Sequence, residues 1–230
     1  KMVVSSFYNT LINDEDAVYS STMLEIERIR KKGILFSVCT NRNYQEVLEY
    51  NKDFPFIDYI ISLNGSYTYD VSKNKALYKN KLTKAIVKKI ATMYENYKLI
   101  YYSEDNIYYN YVEDVDIYKI EIEIKDRKDV KETAKLNINK SILEKDDKLY
   151  LEITSNKSTM FTGVDKISIK TGIKLNEVLV IVANESDLSL VSNIKNSYIM
   201  KNSSNLLKKT NTKKTLSNDS KGVEKVLNVL

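Results

Sequence analysis

Residues 2–11 read Met2-Val3-Val4-Ser5-Ser6-Phe7-Tyr8-Asn9-Thr10-Leu11. A short apolar run, Met2-Val3-Val4, passes into a polar stretch and returns to apolar Leu11 and Ile12. Its length and β-branched content are those of a buried strand. In open α/β sheets ligands bind outside the carboxyl ends of the strands. The polar stretch sits at such an end, yet Ser6 to Thr10 include no acid, no histidine and no cysteine.

The elements that follow set the architecture. After a loop over residues 13–20, residues 22–32 predict a helix: Thr22 and Glu25 have capping-box spacing, Met23, Ile26 and Ile29 share a side, and Gly33 closes it. Residues 34–39, ILFSVC, form a near-continuous apolar run, as in a strand covered on both faces. A helix over 44–50, Pro55 and a strand over 59–63 come next. Strand, helix, strand, helix, strand predicts a parallel sheet with right-handed crossovers. The pattern then changes. SYTYD and KALYK suggest a hairpin, and residues 83–97 a helix with Ile86, Ile90, Met93 and Tyr97 at helical spacing. KLIYYS, NIYYNY and IYKIEIEI read as strands. The last alternates, Ile117, Lys119, Glu121 and Glu123 falling into two interleaved faces, so its sheet is expected to have one wet side. A helix over 128–137 and the strand KLYLEIT complete an α+β segment. The βα rhythm resumes with a helix over 164–171 ending at Gly172, a strand over 178–182, a helix from Asp187, a strand over 198–200 and a helix from Lys221. The simplest architecture is an α/β, doubly wound parallel sheet made from both ends of the chain, residues 1–80 and 159–230, with a second α+β domain, residues 81–158, inserted between them.

Composition narrows the chemistry. The 230 residues hold no histidine, which removes Ser-His-Asp and Cys-His catalysis and every His-metal motif. The single cysteine, Cys39, excludes an internal disulfide and a Cys-rich zinc site and reads as a small buried hydrophobe. A net charge of +5 spread over scattered lysines reads as solvated surface and not as a nucleic-acid footprint. No stretch approaches the roughly 18 apolar residues of a membrane span, and no signal-peptide pattern opens the chain. A cytoplasmic protein is expected. Eighteen tyrosines without tryptophan reflect coding bias more than function.

The strand ends, in order, resemble the haloacid dehalogenase superfamily, specifically the Cof-type phosphatases with an inserted α+β, C2-type cap. The first strand of that family ends in D-x-D-G-T; here the frame is Ser6-Phe7-Tyr8-Asn9-Thr10. T-G-R is matched by Thr40-Asn41-Arg42, and N-G by Asn64-Gly65. A lysine near the start of the helix after the cap is matched to Lys166. G-D-x-x-N-D is matched by Val182-Ala183-Asn184-Glu185-Ser186-Asp187, and G-N-A by Lys201-Asn202-Ser203. The closing polar run and G-V-x-x-x-L pattern is matched by SNDSKGVEKVLNVL. The resemblance covers nearly the whole chain.

It also implies roles, and the departures fall on the chemistry. Family phosphatases use the first aspartate as nucleophile and the second as acid/base, and bind Mg²⁺ through the first-loop oxygens and an acid on the fourth loop. Here Ser6 stands for the nucleophile, Tyr8 for the acid/base, Asn9 for the glycine and Ala183 for the first acid of the metal loop, leaving Asp187 as the metal-loop carboxylate. Ser6, Asn9, Thr40, Asn41 and Lys166 form the expected remnant of a phosphate cradle, and Arg42, Asn64, Gly65 and Asn202 the surrounding cleft. The expectation is a catalytically inactive homologue that binds a phosphorylated small molecule between core and cap, without cofactor. Two alternatives stay open. One is a weak Mg²⁺-dependent phosphatase acting on sugar phosphates or similar metabolites. The other is a scaffold that meets a protein partner through cap tyrosines (Tyr101, Tyr102, Tyr108, Tyr109, Tyr111 and Tyr118), of which about half should pack inward because neighbours on a strand face opposite ways.

Overall fold

The computed structural model describes residues 1–53, 55–131 and 136–230. The chain runs β1 (Met2–Ser6), α1 (Ser20–Lys31), β2 (Leu35–Cys39), α2 (Tyr44–Asp53), β3 (Tyr59–Ser62), β4 (Tyr67–Asp70) and β5 (Lys75–Lys79). It continues through α3 (Lys84–Met93), β6 (Lys98–Tyr102), β7 (Ile107–Tyr108), β8 (Lys119–Ile124), β9 (Ile138–Lys145) and β10 (Lys148–Ser155). It ends with α4 (Met160–Thr171), β11 (Val178–Val182), α5 (Leu188–Asn193), β12 (Ser197–Ile199), α6 (Asn205–Lys208), β13 (Lys213–Lys214) and α7 (Gly222–Leu227).

Two sheets result. The larger has the order β13-β12-β11-β1-β2-β3-β4-β5. It is parallel from β13 to β3 and antiparallel at β3-β4-β5. β1 is central, and its alternation divides the core: Val3 packs with Ile26, Phe36 and Val226 on one face, Met2 and Val4 with Val164, Val180 and Leu190 on the other. Helices cover both faces, so every residue of β1 and β11 is buried, and β11 reads as a continuous apolar run while β1 turns to buried serines at its carboxyl end. The smaller sheet, β7-β6-β8-β10-β9, is antiparallel and packs on α3 through Ile90, Tyr94, Ile120, Ile122 and Ile153.

Several local expectations change. Tyr19, not Thr22, holds the N-cap position of α1; Thr22 lies inside the helix and its hydroxyl reaches Glu224 at 3.3 Å, while Glu25 pairs with Arg28. The helix after the cap starts at Met160, capped by the Thr159 side chain, four residues before the expected 164. The helix expected over 128–137 falls partly on 132–135, outside the described residues; beside them Arg127–Asp129 is a 3-10 turn and Ile138 opens β9. The expected wet face of β8 is dry at its core end. Lys119 is 0% exposed and Glu121 is buried, because this face of the small sheet lies over the strand ends of the large one. Among the cap tyrosines, Tyr101, Tyr102 and Tyr118 are buried, whereas Tyr109 and Tyr111 are exposed. No helix among the described residues is long and apolar enough to cross a membrane.

Candidate functional site

The carboxyl ends of β1, β2, β3 and β11 meet beneath the small sheet. Ser6, the last residue of β1, is buried, and its hydroxyl donates to Asp187 Oδ2 at 2.7 Å. The same oxygen accepts the backbone N–H groups of Asn184 at 2.8 Å and Ala183 at 3.3 Å. Asp187 therefore ties the loop after β11 to the end of β1. Cys39, at the end of β2, completes the cluster with Sγ 3.6 Å from Ser6 Oγ and 3.9 Å from Asp187 Oδ1. Burial and the adjacent carboxylate push the Cys39 thiol well up.

Asp187 is 1% exposed, and burial pushes its pKa from 3.8 to about 6 although Ser6 and the loop amides favour the charged form. Its carboxyl is easier to protonate folded than unfolded, so folding takes up a proton between those values. Stability then rises as pH falls from above 6 towards 4 and is lost as pH rises; ionised Asp187 costs roughly 3 kcal/mol above the folded pKa. In Asp187→Asn this titration disappears. Urea unfolding of the two proteins between pH 4.5 and 7.5 should show their free-energy difference changing with pH, the variant gaining on the parent as pH rises to about 6 and keeping that gain above it. Parallel profiles would contradict the assignment.

The turn after β1 is closed by asparagines. Asn9 adopts a left-handed φ of 59°, a conformation that its short amide tolerates and that glycine would otherwise supply. Asn9 Nδ2 donates to Asn184 Oδ1 at 3.0 Å, Asn184 Nδ2 to the Tyr8 carbonyl at 3.3 Å, and Asn202 Nδ2 to the Asn9 carbonyl at 2.9 Å. Tyr8 turns towards α2. Its hydroxyl donates to Glu46 Oε2 at 3.3 Å, and the Arg42 guanidinium lies 3.9 Å above its ring while pairing with Glu46 at 3.1 Å. Burial, assisted by Glu46, pushes the Tyr8 phenol up to about 12, so it holds its proton at neutral pH.

The other expected residues divide. Thr40 Oγ1 accepts the Arg42 N–H at 3.1 Å and shapes its own loop. Asn41 and Asn64 each donate a side-chain N–H to Glu152 of β10, at 3.0 Å. Gly65 sits against the start of α4. Lys166 is a correction. Because α4 begins at Met160, Lys166 lies well inside the helix; its ammonium is 5.6 Å over the Tyr78 ring and 3.8 Å from Asp165. The buried apolar Met160 occupies the first helical position that the family lysine would be near.

Between the sheets lies a cavity of about 630 Å³, lined by Asn9, Asn41, Ala183, Asn184, Asn202 and residues opposite them such as Glu152 and Leu143. Its rim is bridged by Arg127 and Glu185 at 3.6 Å. Glu104, beyond β6, forms a further tie across the sheets, accepting from Tyr67 at 2.8 Å and Lys79 at 2.6 Å. Neither Glu104 nor Glu152 has a motif around it, and sequence reasoning passed over both.

This architecture agrees with comparison to known proteins. The family model for haloacid dehalogenase-like hydrolases matches residues 8–149 and 110–227, and the chain belongs to that family. A haloacid dehalogenase-like hydrolase from B. subtilis superposes with a TM-score of 0.88 at 16% identity, covering 100% of this chain and 99% of that one. A sugar phosphatase of subclass IIB superposes with a TM-score of 0.86 at 20% identity, covering 100% and 98%. A putative phosphatase of Buchnera aphidicola subsp. Baizongia pistaciae (strain Bp) is 30% identical over 89 residues. That match spans 39% of this chain and 33% of the Buchnera protein.

Proposed function

We propose that this chain is a catalytically silent member of its family, a pseudophosphatase acting by binding or regulation. The observation carrying the reading is the Ser6–Asp187 hydrogen bond at 2.7 Å. A serine replaces the family nucleophile, its proton is committed to a sealed carboxyl group, and no histidine exists to activate it. Phosphorylation of Ser6 would give a stable ester where an aspartate gives a labile acyl phosphate. Tyr8, with its proton tightly held, replaces the acid/base.

The residues present do not fit the Mg²⁺ that the family implies. Mg²⁺ demands octahedral oxygen ligands. Ala183 brings no side-chain oxygen, Asp187 is enclosed, and the Tyr8 carbonyl accepts from the Asn184 amide. Among the described residues no three His, Cys, Asp or Glu side chains are grouped to hold a metal. No catalytic step is therefore routed through one. The expected phosphate cradle also loses support, since Lys166 faces elsewhere and the Asn41 amide is engaged by Glu152.

Phosphate release from p-nitrophenyl phosphate and a panel of sugar phosphates, with and without Mg²⁺, tests the proposal. Removing a catalytic nucleophile costs on the order of 10⁶-fold in rate in a well-studied hydrolase, so release should stay at the level of buffer. Metal-dependent release that disappears in Ser6→Ala would overturn the reading.

A further inference from the structure

We infer that the cleft is latched by the protein's own carboxylate: Glu152 of the cap sits as an internal anion over the strand ends and holds the cap shut until it is displaced. This goes beyond the loss of catalysis, because a silent site need not be a closed one.

The contacts are specific. Glu152 is 2% exposed and accepts four hydrogen bonds. Two come from the core, Asn41 Nδ2 and Asn64 Nδ2, both at 3.0 Å. Two come from the cap, Ser141 Oγ at 2.9 Å and Lys119 Nζ at 3.2 Å. Lys119 also donates across the cleft to the Asn41 carbonyl. The loops after β2 and β3 are thus both fastened to one cap side chain. Asn64 gives its amide N–H to Glu152 while its own Oδ1 is buried without a partner among the described residues. Such an orphan acceptor is costly, and the carboxylate contact is what orients the amide that way.

The charges are arranged so that the latch can release. Lys119, Glu121 and Glu152 lie on β8 and β10, within one sheet. The ammonium contacts Glu121 at 2.5 Å and Glu152 at 3.2 Å. On opening, this cluster travels with the cap intact and regains water. Within the cluster, only hydrogen bonds between charged cap groups and neutral core groups break and no ion pair is split, while the more exposed Arg127–Glu185 and Glu104–Lys79 pairs at the rim part into water. The chain crosses between the sheets near residues 80 and 158, where Asn80 Nδ2 meets Ser158 Oγ at 2.9 Å, so a hinge there leaves both sheets whole. While closed, the buried carboxylate of the cap repels an incoming anion and occupies the amides that would receive it.

Glu152→Gln removes the charge with little change of shape. It is expected to raise hydrogen exchange of residues 40–43 and 63–66 at least tenfold, to increase the radius of gyration by X-ray scattering, and to increase binding of inorganic phosphate at least tenfold. Glu144→Gln, also on the cavity wall, should leave exchange and radius of gyration unchanged. If Glu152→Gln does not fold, Asn41→Ala/Asn64→Ala removes the core half of the latch and leaves the cap cluster complete, with the same rise in exchange and radius of gyration expected but no gain in phosphate binding, because the receiving amides are gone. A folded variant of either kind whose exchange and dimensions match the parent, or a folded Glu152→Gln whose phosphate affinity does, would overturn the latch. So would equal effects from Glu144→Gln.

Discussion

Lys119→Met is expected to lower the folding free energy by about 3–5 kcal/mol, the loss seen when one partner of a buried ion pair is removed. Burial alone would drive this ammonium towards neutrality, yet Glu121 and Glu152 more than offset that and hold its pKa above the ordinary value. Without it, two buried carboxylates face each other. The Tyr102 hydroxyl on Glu121, at 2.7 Å, and the amides on Glu152 remain as neutral donors only. For a chain of this size each kcal/mol corresponds to roughly 2–4 °C in melting temperature, so the midpoint should fall by about 6–20 °C. Adding Glu121→Gln and Glu152→Gln to Lys119→Met should recover most of the loss, because a neutral cluster does not carry the desolvation penalty of the charges. Denaturant midpoints of the single and triple variants check this. A loss below about 1 kcal/mol, typical of an exposed pair, would mean that the cluster is solvated.

That cluster also marks where sequence patterning stops being informative. The period-2 alternation in IYKIEIEI correctly places Lys119, Glu121 and Glu123 on one face of a strand, but alternation reports which residues share a face, not what the face meets. In a sheet lying over another domain the polar face becomes an interface, and Glu152, thirty-three positions from Lys119, has no local signal tying it to Asn41 or Asn64. The parallel core was legible for the opposite reason. β1, β2 and β11 are covered on both faces, and their apolar runs report that directly. The strand-end loops were legible because their order is a family signature, and the structure brings Ser6, Asn9, Asn184, Asp187 and Asn202 together. Lys166 was misplaced by a boundary. Thr159 caps α4, and starting the helix at 164 moved an interior lysine to its beginning. The capping hydroxyl was visible in Lys157-Ser158-Thr159-Met160 as a serine/threonine pair before an apolar-periodic run, the usual sign of a helix start.

The same helix start sets the second large effect, expected at Gly65. Its φ is +86°, and a Cβ there would lie 1.9 Å from the Thr159 carbonyl oxygen and 2.9 Å from the Met160 nitrogen. Those atoms are backbone, and Thr159 is fixed by capping α4, so no side-chain rotation relieves the collision. Gly65→Ala therefore carries two costs. The left-handed conformation contributes about 1–2 kcal/mol, and forced displacement of packed backbone adds about 1–3 kcal/mol, for a total of roughly 2–5 kcal/mol. Gly33 supplies the comparison: it has φ +76° with nothing within 4 Å of its notional Cβ, so Gly33→Ala should show the conformational cost alone. Asparagine separates the two causes further. Asn9 and Asn64 already adopt left-handed angles in this fold, so Gly33→Asn should be nearly neutral, whereas Gly65→Asn keeps the clash and should remain strongly destabilising. Denaturant midpoints of the four variants decide the matter. If Gly65→Asn is as mild as Gly33→Asn, α4 does not approach the loop after β3 as closely as the fold requires, and the entry of the chain from the cap back into the core is looser than these distances imply.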